Sequence, residues 1–152
     1  MTYEDVGRRW IKLFDIKVWQ ERRDLTGVAW VYWRAVAAPW PPTTRKRLYF
    51  LAHEIGHILL DHRGQRPPYV QEFEAEIFAH KLLEREDIPV PESMTKRAKA
   101  YVFTYIKKRI LRGLWVDPDI TNWAAFGGSK LWLKEGVYIK SMNRVDRIME
   151  TF

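Results

Sequence analysis

The residues best able to do chemistry are His53, Glu54 and His57, in the run His53-Glu54-Ile55-Gly56-His57. On an α-helix, two histidines four positions apart stand one turn apart on a single face. Their imidazoles can then bind one Zn²⁺ together. Glu54 falls about 100° around the helix from His53. From that rim its carboxylate reaches a water beside the metal without being a ligand, which is the placement a general base requires. The spacing predicts a site that holds one Zn²⁺ per chain and hydrolyses a peptide bond, with Glu54 as the base.

Two histidines leave a third ligand to find. His62 points about 180° from His53 on a continuing helix, so it reads as a structural or surface residue. The other common solution is a carboxylate from a following helix, where Glu72, Glu74 and Glu76 are available. With Glu74 as origin, Val70, Phe73, Ile77, Phe78 and Leu82 all lie within about 100° on either side. Glu74 is thus expected in the middle of a buried face, with Glu72 and Glu76 opposite it near water. A buried carboxylate needs a partner; a metal would supply one, so Glu74 is the expected third ligand. His80 lies well around the helix from Glu74 and is expected not to bind. Negative charge developing on the substrate needs a donor. Tyr49, one turn before His53, is a candidate, as are Tyr101, Tyr105 and Arg112 on a later helix.

Elements must position these groups. Leu48, Leu51, Ile55, Ile58 and Leu59 form an apolar stripe that packs the His-bearing helix from behind. That helix is expected to start at an N-cap of Thr43 or Thr44, run through His62, and stop before Gly64, Pro67 and Pro68. Gly56 in its middle costs about 1 kcal/mol relative to Ala, which implies close approach of a strand or a substrate backbone. Further helices are expected over about 69–86 and 93–112, the latter stopped by Gly113. Upstream, a helix over 3–14 precedes a strand over 16–21 and a longer strand over 27–38, ended by Pro39, Pro41 and Pro42. That longer strand offers an edge for an extended peptide. Downstream, a hairpin over 132–140 and a helix over 142–149 are expected. Trp123, Phe126, Trp132 and Tyr138 lie there beside basic charge and are expected to recognise a partner.

The fold class is therefore α+β. A small N-terminal sheet packs on the His-bearing helix and a following Glu-bearing helix. The core covers about 1–91 of a single domain, 1–152, with a helical and hairpin extension over 92–152. A hydrophobic content of 47% is enough for one core. The absence of cysteine excludes disulfides, thiolate metal sites and a cysteine nucleophile. With no signal-peptide pattern and no apolar run of membrane-spanning length, a cytoplasmic protein without a membrane partner is expected.

HEIGHILLDH followed by EFEAEIFAHKLL resembles the ImmA/IrrE family of HExxH metallopeptidases, the phage and mobile-element anti-repressors and radiation-response proteases. Glu72, Glu74, Ala75, Phe78, Ala79, Leu82 and Leu83 match that family's second-helix pattern, and the likeness covers about residues 45–91. The resemblance implies a gluzincin-like core, Zn²⁺ held by two histidines and a glutamate, and a protein substrate such as a helix-turn-helix repressor. Carried over residue by residue, it gives His53 and His57 as ligands, Glu54 as base and Glu74 as third ligand. The chain departs from the pattern at Glu76, where the family commonly has Asn or Asp, so a contact behind the ligands is expected to differ.

Two other classes compete. One is a metal-containing binding module that sequesters a repressor without cutting it; the intact Glu54 argues against that. The other is a basic nucleic-acid-binding protein. Lys and Arg outnumber Asp and Glu by 26 to 19, a formal charge of +7. Lys96, Arg97, Lys99, Lys107, Lys108, Arg109 and Arg112 lie along one expected helix. The same helix carries Ala100, Phe103, Ile106, Ile110 and Leu111, so its charges read as a wet face and nucleic acid is not favoured.

Overall fold

The structure, a computed structural model, describes residues 1–125 and 142–152. In chain order the elements are α1 (Tyr3–Leu13), β1 (Lys17–Arg22), β2 (Val28–Trp30), β3 (Ala35–Pro39), α2 (Arg45–Leu59), α3 (Pro68–Arg85), α4 (Glu92–Leu111), α5 (Pro118–Ala125) and α6 (Met142–Met149). The class is α+β, with the sheet packed on α2.

The N-terminal half builds a small sheet of order β1-β3-β2, parallel between β1 and β3 and antiparallel between β2 and β3. The single strand expected over 27–38 is in fact two strands. Residues 31–34 turn the chain, and Arg34 takes a positive φ of 50°. Its guanidinium holds the turn by donating to the carbonyls of Phe14 and Asp15. β3 is central and fully buried along its length, and its alanines let α2 come close. β2 is left as an edge strand.

α2 starts where Thr44 accepts a hydrogen bond from the Arg47 N–H at 3.2 Å. It ends sooner than expected, at Leu59. Asp61 adopts a left-handed conformation, φ 56°, which Asp tolerates better than most residues. The chain turns back, and the His62 N–H donates to the His57 carbonyl at 3.0 Å. The close approach at Gly56 comes from α3, in place of a strand or substrate. A Cβ there would stand 2.9 Å from the Phe78 ring.

α3 is enclosed on nearly every side, with Phe73, Glu74, Ala75, Glu76, Ile77, Phe78, Ala79 and His80 all buried. It packs against α2, α4 and α6. Trp123 is fully buried on α5, edge-on to Phe73 at 4.9 Å between ring centres. It belongs to the core. Phe126, Trp132, Tyr138 and the expected hairpin lie outside the described residues. α6 buries Met142, Val145 and Met149. Among the described residues, no helix is long and apolar enough to cross a membrane.

Candidate metal centre

The neighbouring helices α2 and α3 bring three ligand-type atoms to one point. His53 Nε2 and His57 Nε2 lie 3.1 Å apart. Glu72 Oε2 lies 3.1 Å from the first and 3.4 Å from the second. A tetrahedral Zn²⁺ bound at about 2.0–2.1 Å sets its ligand atoms about 3.3 Å apart, so this triangle is the right size for three corners of such a site. Glu72 Oε2 is buried and has no hydrogen-bond partner, its contacts with the histidines having ion-pair distance but not hydrogen-bond geometry. An acceptor left this way is costly unless something positive meets it. Among the described residues, His53, His57 and Glu72 are the group of metal-ligating side chains that could hold one ion.

The local charge points the same way. Burial disfavours the charged form of His53, but Glu76, Glu72 and Glu54 outweigh it and raise its pKa to about 9. Burial pushes Glu72 up, and the two histidines more than reverse this, holding it well below the usual carboxylate range.

Glu74, the expected ligand, is elsewhere. Its carboxylate accepts from Arg66 Nη1 at 2.6 and 2.7 Å and lies 3.0 Å from His62 Nε2 and 3.7 Å from Arg144 Nε. Glu72 and Glu76 share one side of α3 and Glu74 lies on the other, and it is the Glu72 and Glu76 side that faces His53 and His57. An enclosed helix has no wet face to mark the opposite one, so the sequence did not show which carboxylate meets the histidines. His62, expected as a structural or surface residue facing away from the metal, is a buried structural residue that lies directly behind the site, with its Nδ1 at 2.8 Å from His57 Nδ1. The early end of α2 puts it there.

Glu76 is fully buried behind His53, with Oε1 at 3.3 Å from His53 Nδ1. It also accepts from the Tyr49 hydroxyl and lies 3.4 Å from Arg97 Nη1. Tyr49 is thus committed to Glu76 and to His80 Nδ1, at 3.1 Å, and does not face the cleft. His80 sits apart from the cluster, between the Glu76 carbonyl and Thr95 Oγ1.

The site opens into a cavity of about 280 Å³ whose lining includes Gly27, Val28 and Ala29 of the β2 region, His53, Glu54, Glu72 and Tyr101. A second cavity of about 240 Å³ shares Gly27, His53, Glu54 and Tyr101 and adds Phe50 and Arg97. Glu54 is buried, and burial raises its pKa despite the two histidines. Gly27 makes room for it, since a Cβ there would lie 2.8 Å from Glu54 Cγ and Oε1. Tyr101 alone of the four candidate donors lines both cavities. Burial, then Glu72 and Tyr105, raise its pKa, so its hydroxyl keeps its proton. Tyr105 lies behind it, with the two hydroxyl oxygens 3.2 Å apart. Arg112 lines a different pocket, with Tyr69 and Lys108.

Sequence reasoning did not single out Gly27 or Arg97 as part of the site. Arg97 was counted with the basic residues of α4, yet it pairs with Glu76 and lies over the Phe50 and Tyr101 rings. Lys99, from the same set, is buried. No family model matches the chain, and searches of curated proteins and of solved structures return no significant match.

Proposed function

We propose that the chain is a zinc-dependent peptidase with His53, His57 and Glu72 as metal ligands and Glu54 as general base. The observation that carries this reading is the convergence of His53 Nε2, His57 Nε2 and Glu72 Oε2 at 3.1–3.4 Å, beside a glutamate that is not part of the triangle. When bound there, Zn²⁺ supplies Lewis acidity, polarising a carbonyl and acidifying a water.

The chain's own residues do the rest. The edge strand β2 lies along the cleft and can hold an extended peptide by backbone hydrogen bonds. Glu54, its basicity raised by burial, takes the proton of the attacking water and delivers it to the leaving amine. The Tyr101 hydroxyl donates to the oxyanion that develops on the scissile carbonyl. Two histidines and a glutamate from a following helix form a gluzincin-like ligand set. The resemblance to ImmA/IrrE metallopeptidases supports a helix-turn-helix repressor as the substrate.

The test is peptide cleavage by the zinc-loaded chain. Incubation with a complex peptide library should generate new termini detectable by mass spectrometry, and Glu54→Gln should generate none at equal zinc occupancy. A fully loaded parent chain that creates no new termini would overturn the peptidase reading.

A further inference from the structure

The two histidines of the triangle have different groups behind them, and only His57 has a hydrogen-bonded one, since His53 Nδ1 is buried without a hydrogen-bond partner. His53 Nδ1 faces the Glu76 carboxylate directly at 3.3 Å. His57 Nδ1 faces another imidazole, His62 Nδ1, at 2.8 Å, and His62 Nε2 in turn faces Glu74 Oε1 at 3.0 Å. Both Glu74 oxygens accept from Arg66. Arg144 of α6 closes the far end, with Nε 3.7 Å from Glu74 Oε2 and Nη2 donating to the Leu60 carbonyl at 2.6 Å. His62 and Glu74 are both buried.

Hydrogen-bond logic fixes the protons along this line. Glu74 is held as an acceptor by Arg66, so His62 Nε2 must donate to it. A bond between two Nδ1 atoms needs a proton on one of them only. If His57 Nε2 is to offer a lone pair to a cation, its proton sits on Nδ1, and His62 Nδ1 accepts it. Each group has the role that the next one needs.

We propose that His62 and Glu74 are positioning residues for His57, forming a Glu74–His62–His57 relay that holds the His57 proton on Nδ1 and aims its Nε2 at the bound cation. This rests on the metal reading above. A partner behind a ligating histidine fixes its tautomer and ring orientation, and loss of such a partner typically lowers metal affinity about 10- to 100-fold. Here the support reaches the carboxylate through an intervening imidazole. Its far end is tied to α6, so the C-terminal helix is joined to a metal ligand through Arg144 and Glu74.

Zinc affinity by chelator competition, with the absorption spectrum of the Co²⁺-loaded protein, tests the relay on the full chain. His62→Leu, which removes the acceptor, should weaken zinc about 10- to 100-fold and alter the cobalt spectrum. His62→Gln can accept from His57 and donate to Glu74, and should restore most of the affinity. Glu72→Gln, which removes a ligand, serves as the control for the metal reading. If the parent binds zinc, Glu72→Gln loses it and His62→Leu matches the parent in affinity and spectrum, the relay alone is overturned. A parent that binds no zinc overturns the metal reading and the relay with it. Should His62→Leu fail to fold, ¹⁵N spectra of the zinc-loaded parent decide: His62 protonated on Nε2 supports the relay, and on Nδ1 overturns it.

Discussion

Glu76 Oε1 stands 3.3 Å from His53 Nδ1, on the opposite side of the ring from Glu72 Oε2, which lies 3.1 Å from Nε2. The two glutamates are one turn apart on α3 and bracket one histidine of α2. Glu76 thus places a buried carboxylate against a histidine proposed as a metal ligand. Glu76→Gln should therefore weaken zinc binding about 10- to 100-fold without changing the stoichiometry. Chelator competition measures this, and unchanged affinity would show that Glu76 serves only Tyr49 and Arg97.

Gly27 lies where β2 meets the cleft. A Cβ there would come within 2.8 Å of Glu54 Cγ and 2.9 Å of the Ala37 carbonyl oxygen. A Cβ at this position can be fitted only if both the Glu54 side chain and the backbone at residue 27 shift, which moves the glutamate relative to the cleft. Gly27→Ala should lower kcat on the order of 10- to 100-fold, as expected for a misplaced catalytic group, with zinc content unchanged. Wild-type turnover in this variant would mean that Glu54 does not work from this position.

Tyr101 is the candidate donor that faces both halves of the cleft. Its contribution belongs to the transition state, so Tyr101→Phe should lower kcat by about 10²-fold and change KM little. Tyr105→Phe, one hydroxyl further back, should have a smaller effect. Steady-state kinetics on a peptide identified in the cleavage screen distinguishes them; equal effects would assign the two hydroxyls to one packing unit.

The parts of the site readable from sequence are those set by local geometry. His53, Glu54 and His57 belong to one helix, and a separation of four residues suffices to place the two imidazoles together. The proposed third ligand depends on which carboxylate of α3 faces His53 and His57, and that is decided by packing on all sides of α3. An informative signal was nonetheless present: Glu72 and Glu76 repeat the four-residue spacing of His53 and His57. The place of His62 depends on a left-handed Asp61, which ends α2 with no glycine or proline at that point. The turn at Arg34 is similarly unmarked, so two strands read as one. The α+β class and the sheet against α2 were legible, because alternating proline-bounded and helical segments are properties of whole stretches of chain.

Zinc titration of the parent chain beside Glu72→Gln and Glu74→Gln tests the central claim most directly. The parent should bind one Zn²⁺ per chain. Glu72→Gln should lose affinity by several orders of magnitude, since a neutral amide is a poor ligand for a dication. Glu74→Gln, which lies behind His62, should lose about 100-fold at most. A parent that takes up no zinc, or a Glu74→Gln variant more damaged than Glu72→Gln, would contradict the assignment of His53, His57 and Glu72 as the metal site.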